Sequence, residues 1–153
     1  MAKLFFNYST MNAGKSSVLL QAAHNYRERG MQPYLLTARI DGRAGAGRIA
    51  SRIGLDAEAH AFTPADDLLK LTGTEESIDC VLVDEAQFLT RTQVFQLGEI
   101  ADRLGIPVLF HEESLHGLAA KDATAFPQAI GLASTWDPEL IREINSLIAD
   151  ETR

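Results

Sequence analysis

The sequence predicts an α/β fold, a mainly parallel sheet flanked by helices, followed by a loop-plus-helix C-terminal extension of different character. Three observations carry this. A strand–helix–strand pattern occurs twice, across residues 3–37 and again across 78–110. A Gly-containing turn separates the first strand from the first helix. The most strand-like run, Ile78 to Val83, ends abruptly in Asp84-Glu85.

Taken in order, Lys3 to Tyr8 holds Leu4-Phe5-Phe6 and reads as a buried strand. After residues 9–16 a helical pattern places Val18, Leu19, Ala22, Ala23 and Tyr26 on one side and stops at Gly30. Tyr34 to Thr37 is a second strand. Residues 38–54 mix four glycines with four arginines and read as a long mobile loop. Thr63-Pro64 predicts a helix start, with Thr as N-cap and Asp66 and Asp67 in the first turn. Thr90 and Gln93 have capping-box spacing ahead of Val94, Leu97, Ala101 and Leu104, with Gly105 as the stop. Ile106 to Phe110 is another strand. Asp137-Pro138 caps a last helix with an apolar stripe of Leu140, Ile141, Ile144, Leu147 and Ile148.

The chain has 153 residues, room for one ordinary domain. Its net charge of −7 argues against a general nucleic-acid or anionic-membrane binder, because no basic excess can neutralise phosphates. Cys80 is the single cysteine, so an internal disulfide and a Cys-rich zinc site are excluded by counting. Inside an apolar strand it reads as a small buried hydrophobe. No apolar run approaches the roughly 20 residues that span a bilayer, and the first residues do not form a signal peptide. The expectation is a cytoplasmic protein.

Ser9-Thr10-Met11-Asn12-Ala13-Gly14-Lys15-Ser16 lies between a strand and a helix. Apart from Ser9 in place of the first Gly, it matches the phosphate-loop pattern. In that pattern successive N–H groups and a helix N-terminus wrap phosphate, the Lys supplies charge, and the Ser hydroxyl ligates Mg²⁺. A Cβ at residue 14 would keep the backbone from the ligand. The rival reading is a capped helix start with an incidental Gly-Lys-Ser. A carboxylate ending a buried strand is the second half of such a site. Asp84 can hold the Mg²⁺ shell, and Glu85 can act as general base on an attacking hydroxyl. Alone, this pair would read as an exposed acidic turn.

Residues 9–16, Ile40-Asp41-Gly42-Arg43 and Val83-Asp84-Glu85-Ala86-Gln87-Phe88 together resemble the compact bacterial thymidine kinases over about residues 1–110. The resemblance implies a phosphate-loop NTPase-like core that transfers a phosphoryl group from ATP to the 5′-hydroxyl of thymidine. It makes Ser9, Thr10, Met11, Asn12, Ala13, Gly14, Lys15 and Ser16 the ATP site, with Mg²⁺ on Ser16 and Asp84. Glu85 becomes the catalytic base, Gln87 belongs to the nucleotide site, and Asp41 and Arg43 form an Asp-x-Arg pair near the phosphates. It also allows a homo-oligomer. Past the strand ending at 110, that family has a Gly-Leu-Arg-x-Asp-Phe type segment, four zinc-binding cysteines and a thymine-covering loop. The sequence has none of these.

Residues 103–117 and 123–140 instead resemble family 3 glycoside hydrolases, in which the carboxylate matching Glu113 binds sugar hydroxyls. A fragment of this size cannot close a barrel of roughly 250 residues, so glycosidase activity is rejected. The chain thus reads as a chimera: a kinase core over 1–110 and a foreign extension over 111–153. His111 and His116 are five apart, not the four that put two imidazoles on one helix face, so no zinc is expected there. Trp136 reads as a packed side chain. The expected function is thymidine kinase-type transfer weakened by loss of the thymine-covering segment. The rivals are a non-catalytic ATP/ADP-binding remnant and an inert chimera.

Overall fold

Residues 2–9, 14–73, 77–113, 124–127 and 129–152 are described by a computed structural model. The chain divides into two compact units: Met1–Asn7 with Gly14–Glu112, and Tyr8–Ala13 with Glu113–Arg153.

The first unit is built on a five-stranded sheet. Its strands in chain order are β1 (Leu4–Ser9), β2 (Pro33–Ala38), β5 (His60–Phe62), β6 (Cys80–Asp84) and β7 (Val108–Glu113). Their spatial order is β1-β7-β6-β2-β5, with β2–β5, β2–β6 and β6–β7 all parallel. Parallel neighbours require crossovers, which α1 (Lys15–Glu28), α2 (Leu68–Gly73) and α3 (Arg91–Arg103) help to supply. Central β6 is buried along its whole length. Val81 and Val83 belong to the core with Leu97 and Ile100 of α3, and Cys80 and Leu82 to the core with Leu19 and Ala23 of α1. A strand covered on both faces has no polar side to show, hence the unbroken Cys-Val-Leu-Val.

Several elements differ from the sequence reading. Among the described residues β1 is an edge strand, not a buried one; Leu4 and Phe5 are 43% and 49% exposed, while the Phe6 ring packs tilted against Phe110 with centroids 4.7 Å apart. Within residues 38–54, expected to be loop throughout, β3 (Arg48–Ala50) pairs antiparallel with β4 (Asp56–Glu58), and Arg48 bridges Asp56. Three-residue strands are too short to leave a periodic signature. Thr63 does not start a helix. Its N–H and hydroxyl donate to Asp66 Oδ2 at 2.6 and 2.8 Å, closing a turn, and α2 begins at Leu68. The capping box at α3 forms as read: Gln93 N–H donates to Thr90 Oγ1, and Thr90 N–H to Gln93 Oε1. Gln93 then donates from Nε2 to the Thr63 and Asp66 carbonyls, which is why it is buried while Val94 is exposed. β7 runs three residues past the expected end at Phe110.

In the second unit, α4 (Ala129–Ala133) was not anticipated, and α5 (Pro138–Thr152) was. Asp137 Oδ1 accepts from the N–H groups of Glu139 and Leu140, as its capping role requires. Ile144 and Ile148 of the stripe are buried, whereas Leu147 is not. Trp136 corrects the expectation of a packed ring: it is 90% exposed in a left-handed turn with φ 54°. No described helix is long and apolar enough to cross a membrane.

Candidate functional site

The chemistry-bearing residues of the first unit gather beyond the C-terminal ends of its parallel strands, where ligands of open α/β sheets bind. Register puts them there. Thr37 of β2 pairs with Asp84 of β6, so those two strands end together, while Val83 pairs with Phe110 and β7 continues to Glu113.

Gly14 is the N-cap of α1, with φ 81° and ψ 18°. This left-handed conformation is itself a reason for glycine. A Cβ there would meet nothing within 4 Å among the described residues, so space for a ligand is not what the surrounding protein dictates. Lys15 opens the helix. Ser16 follows, and its hydroxyl donates to Asp84 Oδ2 at 3.0 Å, joining residues 68 apart in sequence. Thr10, Met11, Asn12 and Ala13 lie outside the described residues, and Ser9 ends β1.

Asp84 is 5% exposed, and its carboxyl is pushed up to about 6. Burial is the main cause; the Ser16 hydrogen bond opposes it and the neighbouring Glu85 charge adds to it. A buried carboxylate beside a hydroxyl is a pair of hard oxygen donors short of positive charge, which fits Mg²⁺. Among the described residues no cluster of three or more His, Cys, Asp or Glu could hold a metal by itself, so such an ion would need ligands from elsewhere, as a phosphate-bound Mg²⁺ has.

Glu85 leaves the strand in a left-handed conformation, φ 57° and ψ 46°, uncommon for a residue with a side chain. The turn redirects its carboxylate onto two partners. Gln87 Nε2 donates to Oε2 at 2.5 Å, and the Arg43 guanidinium binds Oε1. Arg43 also donates from Nε and Nη2 to the two oxygens of Asp41, at 2.7 and 3.1 Å. Its hydrogen bonds hold the Asp41 carboxyl below the usual range, and Asp41 in turn raises the Arg43 guanidinium. Gln87 keeps Oε1 buried without a partner among the described residues.

Of the residues anticipated from sequence, the described geometry thus brings Ser16 to Asp84, and Asp41, Arg43 and Gln87 to Glu85. Two neighbours were missed. His111, within β7, is 1% exposed, and its Nε2 lies 3.2 Å from Asn7 Nδ2 on β1. These residues are 104 apart, and no spacing rule could have paired them. His116, its partner in the rejected metal reading, lies outside the described residues.

A family model described as thymidine kinase matches residues 2–120. The chain belongs to the thymidine kinase family. Similar proteins include the thymidine kinase of Ruegeria pomeroyi, 65% identical over 71% of this chain and 57% of its own length. That of Rhodopirellula baltica is 60% identical over 71% of this chain and 53% of its own. That of Rhizobium meliloti is 50% identical over 96% of this chain and 75% of its own. The chain spans little more than half the length of several thymidine kinases it matches. None of these matches supports the glycoside hydrolase resemblance expected for residues 103–153. The family match runs past the boundary expected at 110, and the Rhizobium similarity extends over most of the remainder.

Proposed function

We propose that this chain transfers the γ-phosphoryl group of ATP to the 5′-hydroxyl of thymidine. The observation that carries the reading is the Ser16–Asp84 hydrogen bond, because it joins the start of the phosphate-loop helix to the acidic end of β6. Ser9 to Ser16 would take the ATP phosphates, with Lys15 and the helix N-terminus supplying positive charge. Ser16 and Asp84 would hold Mg²⁺, which when bound offsets the charge of the phosphates.

Glu85 is the base. Its carboxylate takes the 5′-hydroxyl proton as that oxygen bonds to the γ-phosphorus and the bond to the ADP oxygen breaks. Gln87 and Arg43 orient the carboxylate, and Asp41 orients Arg43 through two hydrogen bonds. A guanidinium held in this way is preorganised to meet negative charge gathering on the transferred group. No zinc takes part, the chain working on small molecules rather than nucleic acid or membrane, and assembly into homo-oligomers follows the family. The setting is the cytoplasm.

Residues 111–153 do not carry the thymine-covering and zinc-binding pattern that the family resemblance implies, and the reading includes weakened thymidine binding and turnover by these 153 residues. This holds whether 111–153 is a foreign extension or a diverged continuation; the family relationship across it favours the second. The test is thymidine-dependent formation of ADP and thymidine monophosphate, beside calorimetric titration with ATP and Mg²⁺. Binding of ATP that is weakened by Lys15→Ala, with slow thymidine-dependent turnover, supports the reading. ATP binding with no turnover leaves a nucleotide-binding remnant. No ATP binding removes the phosphate-loop assignment.

A further inference from the structure

We infer that Gln93 is a positioning residue for Glu85, fastening the base-bearing turn to the segment that also fastens the Arg43 loop. The inference deepens the reading of Glu85 as base and rests on it. The backbone of Glu85 is left-handed, with φ 57° and ψ 46°. A residue with a side chain holds that conformation only where its surroundings fix the chain on both sides. Upstream, the buried strand β6 does so. Downstream come one 3₁₀ turn, Ala86–Phe88, and Leu89 in extended conformation. Phe88 N–H donates to the Glu85 carbonyl at 3.2 Å, and Leu89 N–H to the Ala86 carbonyl at 2.9 Å. Both bonds are internal to the turn, so neither ties it to the rest of the fold.

Gln93 supplies that tie. Its Oε1 accepts from Thr90 N–H at 3.0 Å, where the turn ends and α3 begins. Its Nε2 donates to the carbonyls of Thr63 and Asp66 at 2.8 and 3.1 Å, 30 and 27 residues away. The acceptor and both donor hydrogens of the amide are thus used, which lets a polar side chain sit 1% exposed. The receiving segment is itself closed, since Thr63 N–H and Oγ1 both donate to Asp66 Oδ2. One residue earlier, the Phe62 carbonyl accepts from Arg39 N–H at 2.8 Å. Arg39 begins the stretch that carries Asp41 and Arg43. Residues 62–66 therefore hold both partners of the Arg43–Glu85 ion pair, one through Arg39 and the other through Gln93. Gln96, one turn further on, binds Leu68 N–H and Asp67, so α3 keeps a polar contact to α2 when Gln93 is lost.

The test uses the full chain and Gln93→Met, which keeps the length of the side chain and drops every bond of the amide. Amide exchange at Phe88 and Leu89 should quicken about tenfold more than at Val81 and Leu82 of β6. The left-handed residue gives a second readout, the stability of Glu85→Gly against Glu85→Ala. In the parent background Gly should be favoured about fivefold in the folding constant, because a Cβ is strained at this φ. With Gln93→Met added, the preference should shrink to about twofold or less. Thirdly, kcat for thymidine-dependent turnover at equal folded fraction should fall about tenfold, with KM for ATP unchanged. Asp66→Ala opens the receiving turn from its exposed side. It should move the same two amides by about threefold, and covers the case in which Gln93→Met does not fold. Even quickening that includes β6, or none at Phe88 and Leu89, overturns the inference, as does an undiminished preference for Gly. Unchanged kcat beside quickened exchange makes Gln93 a merely structural residue and overturns its positioning role. A parent without thymidine-dependent turnover overturns the reading of Glu85 as base and this inference with it; the exchange and Gly–Ala results tell the two failures apart.

Discussion

The Ser16 hydroxyl donates to Asp84 Oδ2 at 3.0 Å, fastening the first turn of α1 to the last residue of β6. The bond supplies one polar partner to a carboxylate that the core has almost sealed from water. It does not supply the positive charge that a buried carboxylate needs.

Asp84→Asn should therefore separate stability from function. With its carboxyl pushed up to about 6 from an ordinary value near 3.8, Asp84 penalises the folded state once ionised above that pH. Removing the charge should raise the denaturation midpoint at pH 8, by on the order of 1–3 kcal/mol in stability, while weakening binding of ATP with Mg²⁺. Urea titration and calorimetry measure the two. Lower stability with unchanged Mg²⁺ dependence would assign Asp84 to the scaffold.

Glu85→Gln keeps the shape and removes the base. Thymidine-dependent turnover should fall roughly 10²–10⁴-fold while ATP affinity stays near that of the parent. Steady-state kinetics beside ATP titration reads both. Turnover within a few-fold of the parent would mean that another group takes the proton.

The buried imidazole of His111 sets a pH dependence of stability opposite in sign to that of Asp84. Its folded value of about 4 lies below the ordinary 6.5, so the unfolded chain binds more protons between those limits. Its contribution is therefore fully present above pH 6.5 and is lost as pH falls toward 4, to the extent of about 3 kcal/mol. Because Asp84 titrates in part of the same window, the informative quantity is the parent minus His111→Leu. Urea midpoints at pH 4.5, 5.5 and 7 should converge for the two proteins as pH falls. Parallel pH profiles would show that the ring is not held neutral by folding.

Thr90→Ala removes the side-chain half of the α3 capping box, so stability should fall by about 1 kcal/mol with no change in ATP affinity. Chemical denaturation beside ligand titration checks this. A loss of ATP binding at equal folded fraction would place α3 in the site.

Local chemistry settled much of this protein in advance. The capping box at Thr90 and the cap at Asp137 depend on residues within three positions of each other, and both formed as read. The run through β6 announced a doubly covered strand because parallel strands have no face for polar residues. Gly14-Lys15-Ser16 and Asp84-Glu85 stand out in the sequence for the same reason: each is a short string whose chemistry is carried by neighbours in the chain. Tertiary structure alone decided what depends on partners far away. Leu4 and Phe5 are exposed on a strand that ends the sheet among the described residues, and apolar residues read alike at an edge and in the interior. The β3–β4 pair is too short to show a period. Arg43 reaches Glu85 across 42 residues, and Asn7 reaches His111 across 104, because strand order brings distant segments side by side. Side-chain type fixes what a residue can do, but the packing of the sheet fixes what it meets.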